Sequence, residues 1–388
     1  MTALSVALIE PVGSHGGMDY YDCGFAAGLA DNGVRCIWYS CDISEVRGAR
    51  PVTLKRTFQG IWGKSSPVLR GMRYVRGLIA TLQDAGRERL NLVHLHFFHV
   101  GALEFLSVLF ARMGRFGVFV TVHDVEAFKA GARAMWLQKI TYGMVSGIVV
   151  HNEVSRTELL NHFPILAPRV SVVPHGSYLG LVPPLVPMQD ARRSLNLGAS
   201  DRVILFFGQI KSVKGLDVLI NAFSRIASSD HRYRLVIAGK VWKDDFSLYQ
   251  RLIEEGGAAE RISLNIRYIP DAEIPAFYGA ADVVVLPYRK IYQSGVLLMA
   301  MSLGTPVVVS DLPGMTAIVE DRRNGLVFSS EDESHLAQVL EGFFAEPALR
   351  DTVVHNARQD MQDKFGWTSV AGQLRTFYEN KSAGRHQA

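Results

Sequence analysis

Two lysines, Lys211 and Lys214, stand between the apolar run VILFFG at 203–208 and a helical pattern that opens after Gly215. Cations at a helix entrance suit a pyrophosphate, which also gains from the free N–H groups and positive dipole end there. The plain alternative is a pair of solvated loop charges. Earlier, in SHGGMDYYDCG, Gly16 and Gly17 let backbone approach a ligand closely where a first strand turns into a helix. Asp19 and Asp22 follow. A carboxylate in a closed cleft can act as general base on a hydroxyl, and Asp19 can equally cap a helix beginning at Tyr20; Asp22 is the less suited to chemistry. His123 and Asp124 come at the carboxyl end of a predicted strand, where site residues of open α/β sheets gather. His94, His96 and His99 form a further cluster whose i, i+2 pair faces one side of a strand. That spacing invites zinc. No carboxylate or cysteine completes a ligand set, so the better reading has one histidine lining a cleft and another packing.

These residues need elements to position them. Short β-rich runs, SVALI (5–9), CIWYS (36–40), LVHLH (92–96), VFVTVH (118–123), GIVVH (147–151) and VSVVP (170–174), alternate with helical spacings such as 19–32 and 101–113. Alternation of this kind predicts a parallel, doubly wound sheet. Three prolines in LGLVPPLVPMQD (179–190) then resist regular structure and predict a linker. A second series follows in VILFFG, RLVIAG (234–239), ISLNIR (262–267), DVVVLP (282–287) and PVVVS (306–310). The expected fold class is α/β, with two Rossmann-like domains, 1–182 and 183–364, facing a cleft where such sheets bind ligands. Residues 365–388 should form an amphipathic helix packing back toward the first domain, with a disordered tail.

Composition narrows the function classes. The 388 residues, 48% hydrophobic and 20% charged, are balanced like a globular protein, and a net charge of +4 from 41 basic and 37 acidic residues does not by itself imply nucleic acid. Cys23, Cys36 and Cys41 crowd into one segment without metal-type spacing, which fits a reducing cytosol. MTALSVALIEPVG lacks a basic leader region, and the apolar region Val93–Val122 is interrupted by His, Glu and Arg. Neither a signal peptide nor a membrane span is expected.

The chain also carries IAGK at 237–240, IPAFYGAADVVVLPY at 274–288 and SGVLLMAMSLGTPVV at 294–308. Their order and spacing resemble those of GT-B glycosyltransferases of family 4. The resemblance runs from HGGMDYYDCGFAAGLADNGV to FGWTSVAGQLRTFYE and implies a Leloir enzyme that moves a sugar from a nucleotide donor, held mostly by the C-terminal domain, to an acceptor. It gives Lys211 and Lys214 the donor diphosphate and the leaving nucleotide. Backbone around Gly17, Gly208, Ser294, Gly295 and Val296 would approach the same phosphates. His123 would contact a sugar hydroxyl or the reacting centre and Asp124 would orient it, with Asp19 a candidate base. His15, His96 and His175, the last where relatives often have Asn-Gly, fall on the acceptor side. Members of the family commonly have two glutamates separated by seven residues, for the donor sugar and the ribose. Here Ile291 and Met299 fill those places, and a methionine accepts hydrogen bonds only weakly. Tyr292 and Gln293 are the nearby polar candidates, and the departure predicts an atypical branch. No Asp-x-Asp occurs, so a metal-independent enzyme without cofactor is expected.

From Arg47 to Arg76, eight cations (Arg47, Arg50, Lys55, Arg56, Lys64, Arg70, Arg73, Arg76) mix with Phe58, Ile61, Trp62, Leu69 and Tyr74, without an acid. Such a mixture suits an anionic membrane surface and, without a recognised motif, argues against nucleic acid. The expected function is sugar transfer to a lipid-linked or saccharide acceptor in exopolysaccharide, capsule or glycolipid assembly, by a cytoplasmic protein peripheral on the inner membrane face. A nucleotide-sugar epimerase or hydrolase of the same fold, or a non-catalytic nucleotide-sugar-binding subunit, are the alternatives.

Overall fold

The computed structural model describes residues 3–13, 17–124, 132–242 and 245–383. It divides into two compact units, Met1–Gly176 with Lys364–Ala388, and Ser177–Asp363. The first unit holds β1 (Ser5–Glu10), β2 (Arg35–Cys41), β3 (Thr53–Phe58), β4 (Leu92–Phe97), β5 (Gly117–Val122), β6 (Gly147–Val150) and β7 (Val170–Val172). All pair in parallel, in the order β3-β2-β1-β4-β5-β6-β7. β1, β4, β5 and β6 are buried at every position. Burial on both faces is why they read as unbroken apolar runs. β3, TLKRTF, sits at the sheet edge with Lys55 and Arg56 in it, a charged edge that gives no such run.

Helix Met18–Asp31 follows β1 and packs against helix Trp367–Ala383 of the same unit. The join is made by missing side chains. A Cβ at Gly24 would lie 2.0 Å from the Trp367 indole, and one at Gly28 would lie 2.4 Å from the Trp367 carbonyl oxygen. The i, i+4 glycines therefore form a slot on one helix face that fits this aromatic.

The second unit holds β8 (Arg202–Phe207), β9 (Tyr233–Ala238), β10 (Ile262–Asn265), β11 (Val283–Leu286), β12 (Val307–Ser310) and β13 (Leu326–Phe328) in the order β10-β9-β8-β11-β12-β13. Counting strands from the start of each unit, both sheets use the doubly wound order 3-2-1-4-5-6, which the first extends by a seventh strand. Ile204, Phe206, Leu235 and Val285 from the strands meet Leu219 and Phe223 from helix Leu216–Ser229 in its core. The first boundary lies ahead of the proline stretch, because the segment after Gly176 is bound into the second unit. Tyr178 N–H donates to Ser302 Oγ at 2.9 Å, and a Cβ at Gly295 would lie 2.8 Å from the Tyr178 hydroxyl.

Candidate active site

In the second unit the basic loop is shaped by two glycines with positive φ. Gly239 (φ 151°) lies so close to the end of β8 that a Cβ there would come within 1.7 Å of the Gly208 carbonyl oxygen. Gly215 (φ 64°) caps helix Leu216–Ser229 and leaves no room for a Cβ beside the Pro287 carbonyl, 1.8 Å away. This approach brings Lys214 onto Tyr288, with Nζ 3.6 Å from the ring centroid. Burial pulls the Lys214 ammonium down to about 7. The Tyr288 hydroxyl bonds the Ser294 side chain, and Ser294 Oγ accepts Leu297 N–H at 3.2 Å as the cap of helix Gly295–Leu303. Lysine, tyrosine and helix N-terminus are thus joined in one chain of contacts. Lys211 Nζ lies 5.4 Å from the Trp242 ring. Arg289 clasps Asp217 through two bonds of 2.8 and 2.6 Å, tying the loop after β11 to the first turn of helix Leu216–Ser229.

Gly295 and Val296 are half-buried at the helix start, and Tyr292 and Gln293 are half-buried in the loop before it. Gly314 supports that loop: a Cβ there would meet the Ile291 carbonyl at 2.5 Å. Met299 is only 8% exposed, within a helix that is buried from Leu297 to Leu303.

In the first unit, histidines stand at or just beyond the carboxyl ends of four adjacent strands. His96 ends on β4, His123 follows β5, His151 follows β6 and His175 follows β7. His96 Nδ1 is 2.9 Å from His123 Nε2, His123 Nδ1 is 3.3 Å from His151 Nε2, and His151 Nδ1 is 3.1 Å from the Val173 carbonyl oxygen. Tyr21 packs edge-on against all four rings, with centroids 4.7 to 5.6 Å away. His175 Nδ1 donates to the Gly176 carbonyl at 2.6 Å. His94 lies fully inside, bonded to the Tyr378 hydroxyl at 2.6 Å and to Thr121 at 2.7 Å. Burial favours the neutral form of each ring, pulling His94 and His175 to about 3, His151 to about 4, and His96 and His123 well below the usual range.

Two carboxyls share this interior. Asp22 is completely buried, 3.9 Å from His96 Nδ1, and burial pushes it well above the usual carboxylate range. Glu10, at the end of β1, accepts Val12 N–H at 3.0 Å and is pushed by burial up to about 8.

Asp19 is not a helix cap. The helix begins at Met18, after Gly17, and the buried Asp19 carboxylate instead accepts the Glu45 N–H at 3.0 Å, pinning the loop between β2 and β3. Asp124 is exposed just past β5, and His15 lies outside the described residues. His99 sits outside the series, its Nε2 3.7 Å from Glu104. Among the described residues no three His, Cys, Asp or Glu side chains converge on a metal position. His151, Tyr288 and Arg289 were not singled out from the sequence. The signal for His151 was its place at the end of GIVVH, equivalent to His123 at the end of VFVTVH.

Three cations of the basic stretch are paired with acids from elsewhere in its unit. Arg50 pairs with Asp31, Arg47 with Glu45 at 3.1 Å, and Lys55 with Asp84 and Glu88 at 2.6 and 2.7 Å. Arg56 and Arg73 donate to the carbonyls of Ser44 and Gly60 at 2.9 and 2.7 Å. Lys64, Arg70 and Arg76 have no carboxylate partner among the described residues. They flank Trp62, Val68, Leu69 and Met72, all exposed, Val68 to 72%. No described helix is long and apolar enough to cross a membrane.

Comparison with known proteins matches residues 15–177 to Glycosyltransferase Family 4 and residues 187–360 to Glycosyl transferases group 1. The chain belongs to the family 4 glycosyltransferases. An uncharacterized glycosyltransferase of Methanocaldococcus jannaschii is 29% identical over 48% of this chain, a match that spans about half (47%) of that relative. The D-inositol 3-phosphate glycosyltransferase of Streptosporangium roseum is 26% identical over 81% of this chain and 74% of its own. Among solved structures, sucrose-phosphate synthase of Thermosynechococcus elongatus superposes with a TM-score of 0.73 at 21% identity, covering 98% of this glycosyltransferase and 100% of that chain. HepE of Anabaena, in complex with UDP-glucose, gives a TM-score of 0.70 at 15% identity over 98% and 100%. The fold is therefore GT-B.

Proposed function

We propose that this glycosyltransferase moves a sugar from a nucleotide-sugar donor to a lipid-linked saccharide in the assembly of an exopolysaccharide, capsule or glycolipid, without a metal. One observation carries the donor assignment: Lys214 rests on Tyr288, and Tyr288 bonds the cap of helix Gly295–Leu303. A desolvated cation and a helix N-terminus held by one aromatic are the two determinants a diphosphate needs. Both would stabilise the charge that develops on a departing nucleoside diphosphate. Lys211 adds a second cation, and Gly208 keeps the backbone low. With Ile291 and Met299 in place of carboxylates, Tyr292 and Gln293 take over polar contacts to the sugar. His123 and Asp124, with Asp19, His15, His96 and His175, form the reacting and acceptor side. UDP-sugars are the donors to try first.

For the acceptor, we infer that the exposed apolar residues 62–72, flanked by Lys64, Arg70 and Arg76, lie on an anionic membrane surface at the cytoplasmic face. Vesicle co-sedimentation with and without anionic lipid tests this, and equal, salt-independent lack of binding to both would refute it. The transfer itself is tested by incubating the protein with UDP-, GDP- and ADP-sugars and measuring released nucleotide with and without a lipid-diphosphate sugar acceptor. Acceptor-dependent release is the expected result. Acceptor-independent interconversion or hydrolysis, or binding without turnover, would overturn it.

A further inference from the structure

We propose that His151 is a positioning residue: anchored on the Val173 carbonyl, it fixes the tautomers of His123 and His96, placing the hydrogen of each ring on Nδ1 and the lone pair on Nε2. The Val173 carbonyl is the fixed end of the series. A carbonyl oxygen has no hydrogen to give, so His151 Nδ1 donates to Val173. A neutral imidazole has a single N–H, which leaves His151 Nε2 as an acceptor. His123 Nδ1, 3.3 Å away, must then donate to it. By the same step His123 Nε2 is a lone pair and takes the hydrogen of His96 Nδ1 at 2.9 Å. His96 Nε2 closes the series as a bare lone pair, buried and without a hydrogen-bond donor among the described residues. A backbone atom that cannot titrate or rotate thereby sets the polarity of three side chains.

The premise of neutral rings is met by their surroundings. The helix Met18–Asp31 presents Tyr21 and Asp22 to them, β4 presents His94, and the segments after β4 and β7 present Phe98 and His175. The C-terminal helix presents Trp367 to Tyr21 and His175. Of these only Asp22 could carry a compensating negative charge, and its complete burial favours the protonated acid. The consequence for catalysis rests on the transfer reading given above. A sugar hydroxyl reaching His123 Nε2 meets an acceptor and must give its hydrogen, in competition with the His96 N–H.

The test is long-range proton–nitrogen NMR of the full-length protein labelled with 15N-histidine, at neutral pH without donor. Expected is hydrogen on Nδ1 of His96, His123 and His151. In His151→Phe the anchor is lost and the His123 hydrogen redistributes to Nε2. His151→Gln keeps a donor and an acceptor on one planar group, so it retains the wild-type His123 signature. Turnover follows the tautomer, falling at least about ten-fold in the Phe variant and about three-fold or less in Gln, from the size of one hydrogen bond to a reacting group. Wild-type His123 with hydrogen on Nε2, or an unchanged His123 signature in His151→Phe, overturns the proposal. The wild-type spectrum decides even where His151→Phe does not fold. Because that spectrum needs no donor, a correct tautomer with no sugar transfer would fault only the transfer reading.

Discussion

Acidification from pH 6.5 to 5 sets the buried histidines of the first unit against its buried carboxyls, and the sign follows from counting protons. An unfolded histidine binds a proton below about 6.5, whereas folded His94 and His151 wait until about 3 and about 4. Each therefore costs about 1.5 pH units times 1.36 kcal/mol, or about 2 kcal/mol, by pH 5. His96, His123 and His175 shift in the same direction. Glu10 and Asp22 act the other way, since their folded pKa values are raised and the native state holds protons that the unfolded chain has released. His94, His151 and His175 against Glu10 leave about two such contributions, or roughly 4 kcal/mol lost at pH 5, a large part of the stability of an ordinary domain; His96 and His123 add to that loss and Asp22 opposes it. Above pH 6.5 the histidines drop out and the carboxyls remain, so stability falls again as Glu10 approaches its folded value of about 8. The first unit should be most stable near pH 6.5. Urea titrations between pH 5 and 8, followed by tryptophan fluorescence, measure this, because Trp38, Trp62, Trp136 and Trp367 lie in the first unit and only Trp242 in the second. Glu10→Gln removes one carboxyl and should flatten the limb above pH 6.5 by about 2 kcal/mol at pH 8. Stability that is level from pH 5 to 6.5 would refute the neutral-histidine interior, and a Glu10→Gln limb as steep as the wild type would refute the protonated Glu10.

Other outcomes follow from single contacts. Lys214→Ala should weaken UDP binding by at least about ten-fold in calorimetry, the scale of one charge-assisted bond. Because burial holds free Lys214 near 7 and a diphosphate favours its charged form, wild-type affinity should also fall as pH rises through 7, by up to about ten-fold per unit, and Lys214→Ala should lose that dependence. Trp367→Ala should cost the first unit about 3–5 kcal/mol in urea titration, as for a large aromatic removed from a fitted slot. Gly239→Ala places a Cβ 1.7 Å from the Gly208 carbonyl oxygen and should reduce soluble yield and donor binding together, whereas an alanine at the open, helical Gly342 needs no such shift of backbone.

The parts legible in the sequence were those with a local physical cause. VILFFG, DVVVLP and GIVVH are strands because a parallel sheet covered on both faces demands unbroken apolar runs, and the structure has β8, β11 and β6 there. The Lys214 loop was legible through Gly215, but its seat on Tyr288 was not, since nothing local links residue 214 to residue 288. β3 escaped because an edge strand tolerates Lys55 and Arg56, and the basic stretch looked barer than it is because its acids, Asp31, Asp84 and Glu88, come from neighbouring helices.

His151 is the instructive miss, since it could have been read. In the order β3-β2-β1-β4-β5-β6-β7, the strands from β4 onward are neighbours both along the chain and across the sheet. Residues just past each of these strand ends must therefore lie side by side, and LVHLH, VFVTVH, GIVVH and VPH place a histidine at each. Read singly, each is a strand-end histidine that burial alone could explain. Read across the sheet, they are a row whose nitrogens have to share hydrogens, since burial has removed the water that would otherwise serve them. What no pattern could supply is the end of the row, where the chain offers a carbonyl at Val173 and so turns three of the four adjacent rings into a series with a direction.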